Sequence, residues 1–296
     1  MVIAVAVLVV GGLLGWLLLR DRARPGRGEH YGAAPSGAEP QVPAELPVGA
    51  PIPEELRPLG RVEVSGLTKM YGGVTVVDDV SFIAEPGRVT GILGPNGAGK
   101  TTTLRMLLGL VIPSGGVARI GRSRYREIEG PVRTVGALLE ASGAAEGRTG
   151  RDHLRVLCRA AGLPLIRADE VLDAVGLARA GGRQVHGYSL GMRQRLGVAA
   201  ALLGDPQVLI LDEPGNGLDP AGIRWTRDLL RALAASGRTV LVSSHQLAEI
   251  EQLADDLVVI ATGRVVASGT LEAVIGAHAG LEEAFLELTA GRGEIR

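Results

Sequence analysis

Lysine is nearly missing from this chain. Of 31 strongly basic residues among 296, only Lys69 and Lys100 are lysines; the rest are arginines. A lysine retained against that background marks a place where a compact ammonium is wanted and a planar guanidinium would not fit. Cysteine is scarcer still. The single Cys158 excludes an internal disulfide framework and fits a reducing compartment; it lies in an apolar helical pattern and reads as core. An excess of positive charge is also absent, since the net charge is -1, which argues against a general nucleic-acid binder. What is abundant is apolar residue type, 46% of the chain, enough for a substantial core in one or two domains.

Lys100 closes the run Gly94, Pro95, Asn96, Gly97, Ala98, Gly99, Lys100, Thr101, Thr102, which fits the phosphate-loop pattern G-x-x-x-x-G-K-[ST]. The apolar run Val89 to Leu93 before it reads as a buried strand, and Thr101 to Leu110 after it reads as a helix. That strand–loop–helix context is what the motif requires. Glycines let successive backbone N–H groups turn toward one point, and the helix start adds its positive end. Lys100 supplies a mobile charge for β- and γ-phosphates, and the Thr101 hydroxyl can ligate Mg²⁺.

Residues 1–19 carry no charge, and Arg20, Arg22, Arg24 and Arg27 follow at once. That length and flank predict a membrane anchor with the next domain on the cytoplasmic side. A cleaved signal peptide is the rival reading, but it would begin with a basic region, and none precedes the run. Residues 21–59, rich in Pro, Gly, Ala and Glu, predict a flexible linker. Alternating Val62 and Val64, then Val74, Val76 and Val80, predict antiparallel strands around Tyr71. Tyr71 is either a half-buried hairpin residue or an aromatic platform for adenine. Leu154, Leu157, Cys158 and Ala161, then Val171, Leu172, Val175 and Leu177, have helical spacing and predict a helical insert.

Ser189 is a suitable N-cap for a helix running to about Leu203. Val208 to Leu211 is an apolar strand that delivers Asp212 and Glu213 at its end, as a Walker B element does. Asp212 would hold Mg²⁺ and Glu213 would act as general base on the attacking water. The bland alternative, a solvated acidic pair, loses weight once a phosphate loop precedes it. Asn216 to Pro220 is a turn, and His245 stands just beyond the strand Thr239 to Ser243. Residues 271–290 read as two short amphipathic helices.

From about Arg61 to Ala290 these motifs together resemble the ATP-binding subunit of an ABC transporter. The finer text, Tyr188 to Gly197 and Leu281 to Thr289, is similar to the bacitracin/daunorubicin-type (ABC-2) export ATPases. The resemblance implies an α/β P-loop ATPase core with an antiparallel β subdomain and a helical subdomain. It implies the order 1–20 anchor, 21–59 linker, 60–290 ATP-binding domain with a helical insert at about 137–190, and 291–296 tail. It also implies roles. Tyr71 stacks on adenine, residues 94–102 cradle phosphate, and Glu140 occupies the Q-loop position near Mg²⁺, where most members have glutamine. Ser189 and Gly191 are signature residues that reach the γ-phosphate of the opposite subunit, with Leu190 in place of a glycine. Asp219 belongs to the D-loop, and His245 is the switch histidine. ATP and Mg²⁺ are the implied ligands.

In that family the P-loop and signature of one site come from different subunits, so with one of each per chain the resemblance implies a head-to-tail homodimer enclosing two ATP molecules, with a separate ABC-2-type membrane permease and no nucleic acid as partner. The competing reading is a non-transport ABC ATPase acting on ribosomes or DNA. Such proteins usually carry a second cassette or long coiled-coil inserts, and neither is evident here.

Overall fold

A computed structural model of the protein describes residues 51–139 and 143–290. The order is β1 (Val62–Tyr71), β2 (Val74–Ala84), β3 (Val89–Leu93), α1 (Lys100–Leu107), β4 (Gly115–Ile120), α2 (Pro131–Thr134) and β5 (Val135–Leu138). There follow α3 (Gly150–Ala161), α4 (Ile166–Ala174), α5 (Leu190–Leu202), β6 (Val208–Asp212), α6 (Pro220–Ala235) and β7 (Thr239–Ser244). The chain closes with α7 (Leu247–Leu253), β8 (Asp256–Ala261), β9 (Arg264–Thr270), α8 (Leu271–Ile275) and α9 (Leu281–Thr289).

Two sheets organise these elements. The smaller is antiparallel, β2-β1-β4, and the larger has the order β5-β6-β7-β3-β8-β9. In the larger, β5 to β8 run parallel and β9 joins the edge antiparallel. Every residue of β3, β6 and β7 is buried. Strands covered on both faces read as continuous apolar runs, which is why these three were visible in the sequence. One apolar cluster, with Val62, Val80, Leu104, Ile210 and Leu241, fills the space around α1 and between the sheets. The other, with Leu154, Leu172, Leu196 and Leu229, joins the helices to the opposite face. Ile210 and Leu241 go to one cluster while Leu209 and Val240 go to the other, as strand alternation requires.

Helix starts follow local chemistry. Thr149 caps α3, Ser189 caps α5 and Asp219 caps α6, each accepting from a backbone N–H three residues on. Gly162, at φ +65, ends α3 in the left-handed conformation that suits glycine.

Two sequence expectations meet different structure. Residues at the end of the expected linker are folded: Glu54–Gly60 forms a 3-10 helix, the Ile52 N–H donates to Ser236 O at 2.8 Å, and the Thr239 hydroxyl donates to Gly60 O at 2.6 Å. Composition gave no hint of this, because the segment is held by Ser236 and Thr239, far along the chain. The expected insert at 137–190 begins inside β5, whose register with β6 makes it part of the central sheet; the helices start at Gly150. The anchor expected at 1–20 lies outside the described residues, as do residues 21–50, Glu140 and 291–296. Among the described residues, no helix is long and apolar enough to cross a membrane.

Candidate functional site

Parallel strands deliver their carboxyl ends to one edge of the sheet, where ligands of open α/β folds gather. Here the ends of β3, β6 and β7 carry Gly94, Asp212 with Glu213, and Ser244 with His245. A cleft of about 410 Å³ opens there, lined by residues 96–102 together with Val76, Glu213, Asn216 and His245.

The loop between β3 and α1 needs its glycines. A Cβ on Gly94 would lie 2.2 Å from Ile260 O, and one on Gly99 would lie 2.9 Å from Val76 O. Gly97 and Gly99 also have φ of +81 and +101. Gly99 is the N-cap of α1 and offers no side chain to its first-turn amides. Those donors, with the helix dipole, suit a phosphate. Lys100 Nζ is buried in this loop, donating to Gly94 O at 2.7 Å and Pro95 O at 3.3 Å.

Across the cleft, the Thr101 hydroxyl donates to Asp212 Oδ2 at 2.7 Å, and the Ser243 hydroxyl donates to Asp212 Oδ1. The second contact follows from register, since Asp212 of β6 pairs with Ser243 of β7. Thr101 and Asp212 fit Mg²⁺, which takes few protein ligands and completes its shell with waters and substrate phosphates. Among the described residues, no group of three or more His, Cys, Asp or Glu side chains forms a denser metal centre.

Glu213 follows in a left-handed backbone, φ +51, with its N–H donating to Ser243 O and Ser243 Oγ, both at 3.1 Å. Its carboxylate stands between two bases: Oε1 is 3.6 Å from Lys100 Nζ and Oε2 is 2.7 Å from His245 Nδ1. Glu249 on α7 lies behind this loop. Its Oε2 would be 2.6 Å from a Cβ on Gly215, so the carboxylate packs directly against the loop backbone there. Burial, then the charge of Glu213, push the Glu249 carboxyl above the usual carboxylate range, with His245 opposing.

The structure thus brings together Lys100, Thr101, Asp212, Glu213 and His245. Tyr71 is elsewhere: it ends β1, is 47% exposed, does not line the cleft, and has Lys69 Nζ 4.8 Å from its ring centroid. Ser189, Gly191 and Asp219 also lie outside the cleft lining. The Ser189 hydroxyl accepts from Met192 N at 3.2 Å and Asp219 Oδ1 accepts from Gly222 N at 2.8 Å. Sequence reasoning passed over Val76, Asn216 and Ser243. A buried polar residue closing an apolar strand was the available signal for Ser243; Asn216 had only its nearness to Glu213. Cys158 is fully buried, and burial pushes its thiol up, in keeping with a core role.

The profile of the ABC transporter family matches residues 77–216. The chain is similar to the bacitracin transport ATP-binding protein BcrA of Bacillus licheniformis, 44% identical over 207 residues, 69% of this chain and 68% of that protein. It is 42% identical to the daunorubicin/doxorubicin resistance ATP-binding protein DrrA of Streptomyces peucetius over 219 residues, 72% of this chain and 66% of that protein. Among solved structures, the ATP-binding subunit of an ABC transporter superposes with a TM-score of 0.70 at 32% identity, covering 77% of this chain and 99% of that one.

Proposed function

The chain belongs to the ABC transporter family of ATP-binding proteins, and from that premise we propose that it hydrolyses ATP to drive export through a separate ABC-2-type permease. Support for export comes from relatives whose names link them to bacitracin transport and to daunorubicin/doxorubicin resistance. The alternative on ribosomes or DNA draws no support from the net charge of -1 or from those relatives.

In this reading the phosphates of ATP lie along residues 94–102, with Lys100 countering charge on the β- and γ-phosphates. Thr101 and Asp212 would hold Mg²⁺, which when bound supplies positive charge against the phosphate oxygens. Glu213 accepts a proton from the water whose oxygen forms the new bond to the γ-phosphorus, as the bond to the bridging oxygen breaks and ADP leaves. His245 orients the Glu213 carboxylate and can donate toward the γ-phosphate. The observation that carries this reading is the Glu213 carboxylate seated between Lys100 and His245 at the mouth of the phosphate loop.

Two copies would close head to tail, each presenting Ser189, Gly191 and Asp219 to nucleotide on the other's P-loop. Their position outside the chain's own cleft agrees with this. ATP then favours the closed pair and hydrolysis removes that preference. Tyr71 would meet adenine, and Glu140 would sit beside the metal. The apolar run at 1–19 with its following arginines supports, from sequence alone, attachment at the cytoplasmic face of the membrane.

The test is Glu213→Gln. ATP binding should persist while steady turnover falls about a hundredfold or more, the usual worth of a general base. Undiminished ATPase activity would remove Glu213 from that role.

A further inference from the structure

One helix grips the catalytic loop at both ends. Gln194, in the second turn of α5 and 4% exposed, donates through Nε2 to Pro214 O at 2.8 Å and to Glu213 O at 3.3 Å. At the other end of the loop, the first turn of α5 meets Gly217 and Leu218. A Cβ on Gly217 would lie 2.4 Å from Leu190 Cδ2, and one on Gly191 would lie 3.6 Å from Leu218 Cδ2. Arg195, beside Gln194, places its guanidinium 4.5 Å from the ring centroid of Trp225 on α6. The loop 213–219 therefore runs between two helices that are themselves joined, α5 above it and α6 after it.

We infer that Gln194 is a positioning residue for ATP hydrolysis: its amide holds the Glu213–Pro214 backbone so that the Glu213 carboxylate stays between Lys100 and His245. The inference rests on the reading of Glu213 as the base. Its physical basis is the backbone itself. Glu213 has a left-handed φ that an L side chain keeps only when its surroundings over-determine it. The Ser243 hydroxyl and carbonyl hold its N–H side, and Gln194 holds its carbonyl side.

Gln194 also connects two parts of the proposed assembly. From 189 to 194 is five residues, about 7.5 Å along a helix at roughly 1.5 Å per residue. Ser189 and Gln194 thus ride on one rigid stretch. A shift of the α5 N-terminus, where the second copy's nucleotide would be met, passes through the Gln194 amide to this chain's own base.

Full-length protein with Mg-ATP, assayed as wild type, Gln194→Met, Gln194→Glu and Glu213→Gln, tests this. Gln194→Met keeps the length and removes both donors. ATP affinity should be unchanged and kcat should fall about tenfold to a hundredfold, the scale of a misplaced reacting group. In Gln194→Glu an ionised carboxylate cannot donate to carbonyl oxygens, but its protonated form can donate to one. Its kcat relative to wild type should therefore rise as pH is lowered. If Glu213→Gln is inactive while Gln194→Met turns over at the wild-type rate, the positioning role is overturned. A parallel loss of ATP affinity in Gln194→Met would also overturn it, because the phosphate loop would then have been disturbed. If Gln194→Met fails to fold, Gln194→Glu decides, and a relative kcat flat with pH overturns the inference. Turnover that persists in Glu213→Gln overturns the base assignment instead.

Discussion

Lys100 Nζ donates to Gly94 O and Pro95 O and lies within 3.6 Å of Glu213. The ammonium is thus held over the loop, and two of its three donors point along it. Removing it should cost affinity rather than fold. For Lys100→Ala, nucleotide titration should show ATP bound about tenfold to a hundredfold more weakly, the worth of a charge-assisted hydrogen bond. Unchanged affinity would argue against the phosphate-loop assignment. At this scale the sequence was most readable where residue type and spacing carry the chemistry themselves, as in Lys100, Thr101, Asp212 and Glu213. Gln194 and Asn216 were not readable, because an amide becomes significant only through the loop that packs against it.

Helix α3 carries a buried imidazole that the site does not use. His153 is 8% exposed, and burial, with Arg148 adding to it, pushes its pKa down to about 4 from 6.5. The unfolded chain therefore binds this proton more readily than the folded one. Its contribution to stability is present above pH 6.5 and is lost as pH falls toward about 4. The whole span corresponds to about 3 kcal/mol. Urea midpoints at pH 7 and pH 4.5 should fall less on acidification in His153→Leu than in wild type. Equal falls would place the acid sensitivity elsewhere. Among the elements, strands buried on both faces and helices with a clear cap were legible. Less so was β5, whose four residues are too short for period to separate strand from helix. Gly136 there makes sense only in three dimensions, since a Cβ would lie 2.1 Å from Ala201 O on α5.

At the scale of the whole molecule, one chain presents a phosphate cleft at one place and Ser189, Gly191 and Asp219 at another. If a working site needs both, two differently broken copies should repair each other. Lys100→Ala and Ser189→Arg homodimers should each be nearly inactive. Mixed protein should regain ATPase activity, because a heterodimer pairs the intact P-loop of one copy with the intact signature of the other. Activity that stays at the level of the separate variants would exclude a shared site. The same mixture in membranes with the permease extends the test to transport.

Residue identity and spacing alone determined the nucleotide chemistry and the buried strands, because a phosphate loop and a fully covered strand are local patterns whose physics needs no partner. Tertiary structure alone decided which strand ends meet, that Ser243 backs Asp212, that Gln194 holds the Glu213 backbone, and that residues 52–60 dock on the core. Those contacts join positions far apart in the chain, and they are set by sheet order and register, which no single segment encodes.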